Sequence, residues 1–311
     1  MANKEKNFVS AVVYVHNSEG RIEKFLKTVI DVMQENFEHS EIICVNDHSE
    51  DDSVSIIKKL SSEAETTSIS ILNMSFFHGL ELAMNAGVDL AIGDFVFEFD
   101  QAVLDFDKDE IMNVYRRALQ GYDIVCAAPD RKEKLSSHLF YMIFDKFTDL
   151  SYKMTTESFR ILSRRVINRI SSMNKTIPYR KAVYANSGLK SDLIRYKTSE
   201  PELKKDKMEK SYRKGLAMDS LILFTNLGYK FSSTMTVFMM LISVLVVIYT
   251  IVIYAMANPV AGWTTTILFL SFAFFGLFGI LTFVIKYLQL IIDLVFKRKH
   301  YSFESIEKLT K

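Results

Sequence analysis

The sequence predicts an α/β domain on a mainly parallel β-sheet, followed by juxtamembrane helices and a C-terminal hairpin of two transmembrane helices. Three observations support this fold class. Short apolar runs alternate with amphipathic segments of helical period through the first half of the chain. Residues 231–285 contain no Asp, Glu, Lys, Arg or His, whereas most of the charge lies before them. Within that stretch, a short turn with Pro and Gly separates two long apolar runs.

The composition limits the classes of protein to consider. A chain of 311 residues has room for one sizeable domain and additional segments. The formal net charge is only +1, so nothing in the overall charge favours a nucleic-acid partner. The apolar share of 49% is concentrated towards the C-terminus, which suggests two environments, water and lipid.

The first half of the chain alternates strands with helices. The strands are mostly apolar, which is typical of a parallel sheet covered by helices on both faces. The predicted strands are Phe8–His16, Glu41–Asn46, Ser68–Leu72, Phe95–Asp100 and Tyr122–Ala127. The predicted helices lie near Arg21–Gln34, Ser53–Leu60, Gly79–Ala91 and Lys108–Leu119. We assign residues 1–200 to this domain.

The two cysteines and the N-terminus both indicate a reducing compartment. Cys44 and Cys126 lie in apolar runs, which favours core packing over a disulfide. The N-terminal MANKEKNFVS is charged and leads into a short apolar run without a small-residue cleavage site, so we expect no signal peptide. The large domain is therefore expected in the cytoplasm.

Two apolar runs near the C-terminus are long enough to span a bilayer. They are Ser232–Ala257 and Thr264–Ile285, and each exceeds the roughly 20 residues that a membrane-spanning helix needs. Between them, Asn258–Trp263 (NPVAGW) combines helix breakers with the only Trp, as in a tight turn at a membrane surface. The alternative is a buried helical hairpin, but a domain of this size could not cover two such stretches.

Flanking charge predicts the orientation of this hairpin. Basic residues precede the first span, follow the second and are missing from the turn, so the positive-inside rule places both flanks in the cytoplasm. They are Lys204, Lys205, Lys207, Lys210, Arg213, Lys214 and Lys230 before the first span, and Lys286, Lys297, Arg298 and Lys299 after the second. We expect an inner-membrane protein with a juxtamembrane amphipathic region at residues 201–231 and a cytoplasmic interfacial tail at 286–311. The basic cluster fits anionic lipid head groups or a phosphate on a lipid substrate.

Polar clusters follow three of the predicted strands at the edge where parallel sheets bind ligands. They are His16-Asn17-Ser18-Glu19, Asn46-Asp47-His48-Ser49 and Asp100. Taken singly, each fits a turn or helix cap. Together they predict a nucleotide pocket. The sequence has no GxGxxG after the first strand, no P-loop, no Gly-x-Ser-x-Gly elbow and no metal-ligand spacing of Cys and His.

Several segments resemble family 2 glycosyltransferases with the GT-A fold, a Rossmann-like domain that binds nucleotide-diphospho-sugars. VVYVHNSEGRIEKFL, EIICVNDHSEDDS and NAGVDLAIGDFVFEFD resemble three motifs of that family in order and spacing. SFRILSRRVINRI, SYRKGLAMDSLILFT and the apolar hairpin resemble its polyprenyl-phosphate branch, which includes relatives of dolichyl-phosphate-mannose synthase. The resemblance implies sugar transfer from a UDP- or GDP-sugar to a polyprenyl phosphate or related lipid-linked acceptor, in the assembly of a cell-surface polysaccharide or glycan.

The resemblance also implies roles for individual residues. Asp47 would recognise the nucleobase, with Asn17 and Glu19 beside it. Asp100 would face the diphosphate and a divalent cation, Mg²⁺ or Mn²⁺, because these ions prefer oxygen ligands. The residues implied in binding the diphosphate or an acceptor phosphate are Arg160, Arg213 and Lys214. A homo-oligomer is compatible with a two-helix anchor, although no small-residue motif requires one.

The acidic motif departs from the family pattern. Where the family has Asp-x-Asp-x-Gln, this chain has Asp100 followed by Ala102 and Leu104, and Ser158 replaces the Asp before Phe-Arg. Glu98, two residues before Asp100, would share its strand face and form a displaced acid pair. Alternatively, Asp105 or Asp107 would supply the acid, and Glu98 would be a buried acid paired with a basic neighbour.

These departures leave three hypotheses for the function. The first is an active transferase that acts on a lipid-linked acceptor. The second is a catalytically silent relative that binds a partner enzyme or a lipid-linked glycan. The third is an active transferase that uses the hairpin only as an anchor and acts on a soluble or glycan acceptor.

Overall fold

The computed structural model describes residues 4–131, 156–172, 179–185, 187–198, 215–219 and 301–310, together with residues 137, 140–142 and helical positions spread between 231 and 291. The chain divides into two compact units. One comprises Met1–Ala217 and Arg298–Lys311, and the other comprises Met218–Lys297.

The first unit is built on a sheet of eight strands among the described residues. The strands are β1 (Val9–Val15), β2 (Ser40–Asn46), β3 (Thr67–Met74), β4 (Phe95–Phe99), β5 (Ile124–Pro129), β6 (Phe159–Ser163), β7 (Ser191–Tyr196) and β8 (Phe303–Lys308). Their order in the sheet is β7-β5-β6-β4-β1-β2-β3-β8. Strands β4, β1, β2 and β3 pair in parallel, as do β5 and β7, whereas β6 and β8 pair antiparallel with their neighbours. The predicted mainly parallel sheet is confirmed.

Helices cover both faces of this sheet. They are α1 (Glu19–Asn36), α2 (Ser53–Leu60), α3 (Leu80–Leu90), α4 (Asp109–Leu119), α5 (Arg164–Ser172) and α6 (Arg180–Ala185), with a 3₁₀ turn at Ser61–Glu63. Helices α1, α2 and α4 pack in one hydrophobic cluster with one face of the sheet. Helices α3, α5 and α6 contribute to a second cluster with the other face. Burial on both faces accounts for the nearly continuous apolar strands.

The five strands and four helices predicted from the first half of the chain are all present, with ends that differ by a few residues. Cys44 and Cys126 are free and buried in β2 and β5, as predicted. Burial raises the pKa of the Cys44 thiol to about 12, so this side chain is an inert part of the core at neutral pH.

The C-terminal residues correct one expectation. Residues 286–311 were expected to form an interfacial tail, but Phe303–Lys308 form β8, which pairs antiparallel with β3 at the edge of the sheet. Asn73 of β3 donates hydrogen bonds to Ser305 (3.0 Å) and Glu307 (2.9 Å), and Lys58 forms an ion pair with Glu307 at 2.6 Å. The C-terminal strand therefore covers an otherwise unpaired edge.

Residues 218–297 contain the whole of the predicted hairpin, and many positions of Ser232–Ala257 and Thr264–Ile285, with the turn between them, lie outside the described residues. The described positions between 231 and 248 and between 266 and 291 are helical. The rings of Phe231 and Phe283 lie 4.8 Å apart, and a Cβ on Gly276 would lie 2.9 Å from Met239. From the first contact to the second, the position in the first segment rises from 231 to 239 while that in the second falls from 283 to 276. The two segments therefore run antiparallel. Among the described positions, no helix is both long and apolar enough to cross a bilayer.

Gly87, in the segment NAGVDLAIGDFVFEFD, has a clear packing role. A Cβ built on Gly87 of α3 would lie 2.5 Å from the side chains of both Val12 in β1 and Val45 in β2. Helix α3 therefore packs closely on the parallel strands because position 87 has no side chain.

We expect Gly87→Ala to lower the free energy of unfolding by about 1–3 kcal/mol through overpacking. The matched control is Gly20→Ala in α1, where a Cβ meets nothing within 4 Å and alanine is the better helix former. Denaturant unfolding of the two variants provides the measurement. Equal stabilities would show that the close approach at Gly87 does not matter.

Removing residues 301–311 is expected to destabilise the sheet and promote aggregation. Strand β3 would lose its outer hydrogen bonds, each worth about 0.5–1.5 kcal/mol net, and would present an unpaired edge. Thermal unfolding and light scattering of the truncated chain would measure both effects. Lys58→Met is the control, because it removes one exposed ion pair and leaves the strand in place. A truncated chain that melts like the full chain would contradict a structural role for β8.

Candidate active site

The polar segments predicted to form a pocket meet at one edge of the sheet. The ends of β1, β2, β3, β4, β5 and β7 and the starts of the antiparallel strands β6 and β8 all lie at this edge, which we call the carboxyl edge. Parallel α/β sheets bind ligands at this edge. The chain leaves the sheet after Tyr196 and re-enters it at Phe303, both at the carboxyl edge.

The loops after β1 and β2 are held together in an uncommon backbone conformation. Asn17 has φ of 43° and His48 has φ of 56°, both in the left-handed region that few residues other than glycine adopt. The Asn17 side chain accepts a hydrogen bond from the Glu50 amide (2.9 Å), and the Asn17 amide donates to Ser49 Oγ (3.2 Å). Residues held in this conformation cluster at functional sites.

Asn17 and Glu19 are both exposed at this edge. Glu19 Oε2 accepts a hydrogen bond from the Asp52 amide at 3.2 Å, which links the start of α1 to the loop after β2. Both predicted residues are therefore accessible to a ligand, and their role in binding a base stays a prediction.

Asp47 anchors the loop that follows β3. Its side chain is fully buried and accepts hydrogen bonds from the amides of His78 and Gly79, each at 2.8 Å, and from the Tyr14 hydroxyl at 2.9 Å. Gly79 has φ of 81°, so glycine is favoured where this loop turns into α3. Direct recognition of a base by Asp47 stays a prediction.

The loop between β3 and α3 also contacts the C-terminal segment. The Ser302 amide donates to His78 Nε2 at 3.1 Å, and the Ser75 amide donates to the Ser302 carbonyl at 3.1 Å. Next to this contact, Phe76 is 56% exposed, and the Phe77 ring lies 4.8 Å from the His16 ring. The carboxyl edge therefore presents aromatic surface beside the strained loops.

A buried cluster of charged residues lies at the end of β4, and we call it the arginine–carboxylate network. Its side chains are almost completely shielded from solvent and come from four segments of the chain. The members are Glu81, Glu98, Asp100, Glu157, Arg160 and Arg180. Buried charges are tolerated in proteins when they are paired and hydrogen-bonded, as all of these are.

Arg160 binds three carboxylates at once. Its Nη1 donates to Glu98 at 2.6 Å, its Nη2 to Asp100 at 2.8 Å and its Nε to Glu157 at 3.0 Å. Arg160 is 1% exposed, in β6 directly opposite Glu98 of β4. A guanidinium fork suits such multiple contacts better than an ammonium group does.

Arg180 makes an equivalent set of contacts from the start of α6. Its Nη1 donates to Glu98 at 2.7 Å, its Nη2 to Asp100 at 2.6 Å and its Nε to Glu81 at 3.0 Å. Tyr184 adds a hydrogen bond to Glu98 at 2.8 Å. Both oxygens of Glu98 and both oxygens of Asp100 therefore accept hydrogen bonds from guanidinium groups.

These ion pairs determine the charge state of Asp100. Burial by itself raises the pKa of its carboxyl, but the positive charges of Arg160, then Arg180 and Lys181, outweigh burial and hold the pKa well below its ordinary value. Asp100 is therefore ionised at neutral pH.

The residues present do not form the expected metal site. Ala102 has no ligand atom, and its side chain is 1% exposed within the hydrophobic cluster. The described part of the chain contains no group of three or more His, Cys, Asp or Glu arranged to hold a metal ion. The oxygens of Asp100 are occupied by two arginines, so we derive no chemical step through a cation bound there.

Asp105 lies in a separate cluster beside Ser158. Tyr196 donates to Asp105 Oδ1 at 2.9 Å, and Arg131 lies 3.6 Å from Asp105 Oδ2. Ser158 Oγ lies 3.4 Å from Asp105 Oδ2 and 2.5 Å from the Tyr196 hydroxyl oxygen. A carboxylate from position 105 therefore lies next to Ser158, where the family pattern has an Asp. The other alternative acid, Asp107, is exposed.

The structure brings Glu98, Asp100 and Arg160 together and places Asp105 in the neighbouring cluster. Glu98 shares a strand face with Asp100, as predicted, and it is the buried acid with a basic partner that we stated as the alternative. Arg213 and Lys214 lie outside the described residues. Sequence reasoning missed Arg180, Glu81, Glu157 and Tyr184. The one signal in the sequence was Glu98 itself: a buried carboxylate needs a cationic partner, and that requirement could have pointed to an arginine such as Arg180.

Comparison with known proteins yields a family and several relatives. The family described as "Glycosyl transferase family 2" matches residues 10–174. An uncharacterized glycosyltransferase of Synechocystis sp. is 26% identical over 194 residues, which cover 60% of this chain and 59% of that protein, less than two thirds of its length. A bactoprenol glucosyl transferase of Shigella phage SfV is 26% identical over 277 residues, which cover 86% of this chain and 88% of that protein.

A solved structure also resembles the chain. The crystal structure of mannosyl-3-phosphoglycerate synthase from Rubrobacter xylanophilus superimposes with a TM-score of 0.49 and 14% identity, over 69% of this chain and 74% of that one.

Proposed function

This chain belongs to glycosyl transferase family 2, and from that membership we propose that it moves a sugar from a UDP- or GDP-sugar to a polyprenyl phosphate or a related lipid-linked acceptor. The observation that carries the proposal is the similarity to the bactoprenol glucosyl transferase of phage SfV. That match covers 86% of this chain, too much to leave out the whole of residues 231–285. It therefore includes part of the apolar segments as well as the α/β domain.

The carboxyl edge supports the donor half of the proposal. The strained loops at Asn17 and His48, the exposed Glu19 and the aromatic surface at Phe76 and Phe77 form a polar and aromatic rim where α/β sheets bind nucleotides. Asp47 fixes the loop that carries the aromatic rings, and the same loop leads into α3. Glu81 of α3 binds Arg180, so α3 follows the rim at its first residue and contacts the arginine–carboxylate network through Glu81.

The proposal includes anchoring in the inner membrane, and this part is supported by the sequence. The lengths of Ser232–Ala257 and Thr264–Ile285 fit two spans, and the flanking basic residues fit cytoplasmic ends. Strands β7 and β8 precede and follow these segments and belong to one sheet. Any bilayer crossing between them must therefore occur an even number of times. Large apolar side chains at the described helical positions, such as Leu241, Leu245 and Phe274, are about half exposed or more, which suits contact with lipid.

Sugar transfer to a phosphate acceptor does not need a strong general base. The oxygen of a phosphate acceptor is already ionised near neutral pH, so transfer relies on positioning the two substrates and stabilising the leaving diphosphate. In this chain, the network fixes β4, β6, α3 and α6 relative to one another at the carboxyl edge. We assign it a positioning role, because its side chains have almost no exposed surface to offer a substrate.

The proposal is tested by a transfer assay with the purified full chain in detergent. Labelled UDP- and GDP-sugars are offered with polyprenyl phosphate in one arm and with a soluble glycan in the other. We expect label to enter the lipid fraction from one of the donors. Transfer only to the glycan would overturn the lipid acceptor, and the absence of both transfer and calorimetric donor binding would overturn the proposed function and favour a silent, partner-binding relative.

A further inference from the structure

The arginine–carboxylate network raises a question about the divalent cation that family membership implies. Four lone-pair-bearing oxygens of Glu98 and Asp100 point into the network, and each accepts a hydrogen bond of 2.6–2.8 Å from Arg160 or Arg180. A metal ion at these oxygens would have to displace a guanidinium group or approach two of them closely. Both outcomes oppose binding, since the ion and the arginines carry charge of the same sign.

Burial adds a second obstacle to a metal at this position. Glu98 and Arg180 have no exposed surface, and Asp100 is 8% exposed. Mg²⁺ loses its water reluctantly and usually keeps several water ligands in protein sites. The packed surroundings of these two carboxylates offer little room for a hydrated ion.

Among the described residues, four neighbouring positions do not supply replacement ligands. The Ala102 side chain packs with the hydrophobic cluster that includes Phe99 and Phe106, so an acid at this position would face the core. Glu81 and Glu157 are bound to the arginines. Asp105 accepts a hydrogen bond from Tyr196 and lies beside Arg131.

We infer that this chain handles its nucleotide-sugar donor without a divalent cation held by its carboxylates, and that Arg160 and Arg180 occupy the place such a cation would take at Glu98 and Asp100. The inference rests on the proposed function. Side-chain cations must then offset the charge of the leaving diphosphate. Arg131 and Lys181 border the clusters and keep exposed side-chain surface, 31% and 12% respectively.

Two measurements on the full chain in detergent test the inference. The first is a titration with Mn²⁺, followed by electron paramagnetic resonance, on the wild type and on Asp100→Asn, with and without UDP; UDP alone is the blank. The second is the initial rate of sugar transfer with EDTA and with excess Mn²⁺. We expect no protein-dependent Mn²⁺ binding in either protein, and rates that agree within about twofold.

One result of each measurement would overturn the inference. The first is a stoichiometric Mn²⁺ site in the wild type that Asp100→Asn removes, and the second is transfer that disappears in EDTA and returns with Mn²⁺. Failure of the proposed function is distinguishable. If no sugar is transferred under either condition, the Mn²⁺ titration alone decides whether the carboxylates hold a metal.

Discussion

Replacing Arg160 by Met is expected to lower the free energy of unfolding of the α/β domain by about 3–5 kcal/mol, because it leaves buried carboxylates without their partner. Arg160 binds Glu98, Asp100 and Glu157, whose side chains are only 0%, 10% and 2% exposed. Urea unfolding of the full chain in detergent, followed by circular dichroism, provides the measurement.

Arg165→Met is the matched control for this prediction. Arg165 lies in α5, the helix that directly follows the strand of Arg160, and it pairs with Asp123 at 3.0 Å, but its side chain is 67% exposed. An exposed ion pair contributes about 0–1 kcal/mol, so the control is expected to unfold close to the wild type. Similar losses in the two variants would contradict the account of the network as a set of tightly coupled buried charges.

Asp100→Asn is expected to destabilise the chain strongly at pH 7 and much less in acid. The pKa of Asp100 in the folded chain lies well below its ordinary value, because Arg160 and Arg180 outweigh the effect of burial. Its ionised form therefore stabilises the fold fully above the unfolded-state pKa of about 3.9, and this contribution is lost as the pH falls below that value. Asparagine cannot titrate, so the stability difference between variant and wild type should shrink from pH 5 downwards.

The matching control is Asp31→Asn, which removes an exposed carboxylate from α1. We expect the control to follow the wild type closely, since a solvent-exposed charge contributes little to stability. Unfolding curves between pH 7 and pH 3 provide the measurement. A constant gap between Asp100→Asn and the wild type over this range would contradict the lowered pKa.

The first half of the fold was predictable because its pattern is local. Strands β1 to β5 are short apolar runs separated by amphipathic helices, and both signals lie within windows of ten to twenty residues. Glu98 and Asp100 were placed on one face by the two-residue period of a strand. The free, buried cysteines followed from their apolar neighbours in the same way.

The remaining strands were not predictable for physical reasons. β6 is five residues long, contains the charged Arg160 and runs directly into α5, so it has no clear strand signature. β7 is half-exposed along most of its length. β8 (FESIEK) is stabilised by pairing with β3, more than 200 residues earlier in the chain. Pairing between such distant segments leaves no trace in a local pattern.

The site was predicted in part for a related reason. Residues at strand ends could be located at one edge of the sheet, but their partners could not. Arg180 reaches Asp100 across 80 residues of sequence, and Glu81 reaches Arg180 across 99. The motif of Asp47 predicts a ligand for a base, whereas its side chain contacts the Tyr14 hydroxyl and the backbone of the loop at His78 and Gly79.

The most direct test of the proposed activity is the mass of the lipid product. Purified full chain is incubated with a UDP- or GDP-sugar and polyprenyl phosphate in the presence of EDTA, and the lipid fraction is analysed by mass spectrometry. We expect a new species heavier than polyprenyl phosphate by one sugar residue, with release of UDP or GDP. Lipid of unchanged mass with every donor, both in EDTA and in excess Mn²⁺, would contradict it.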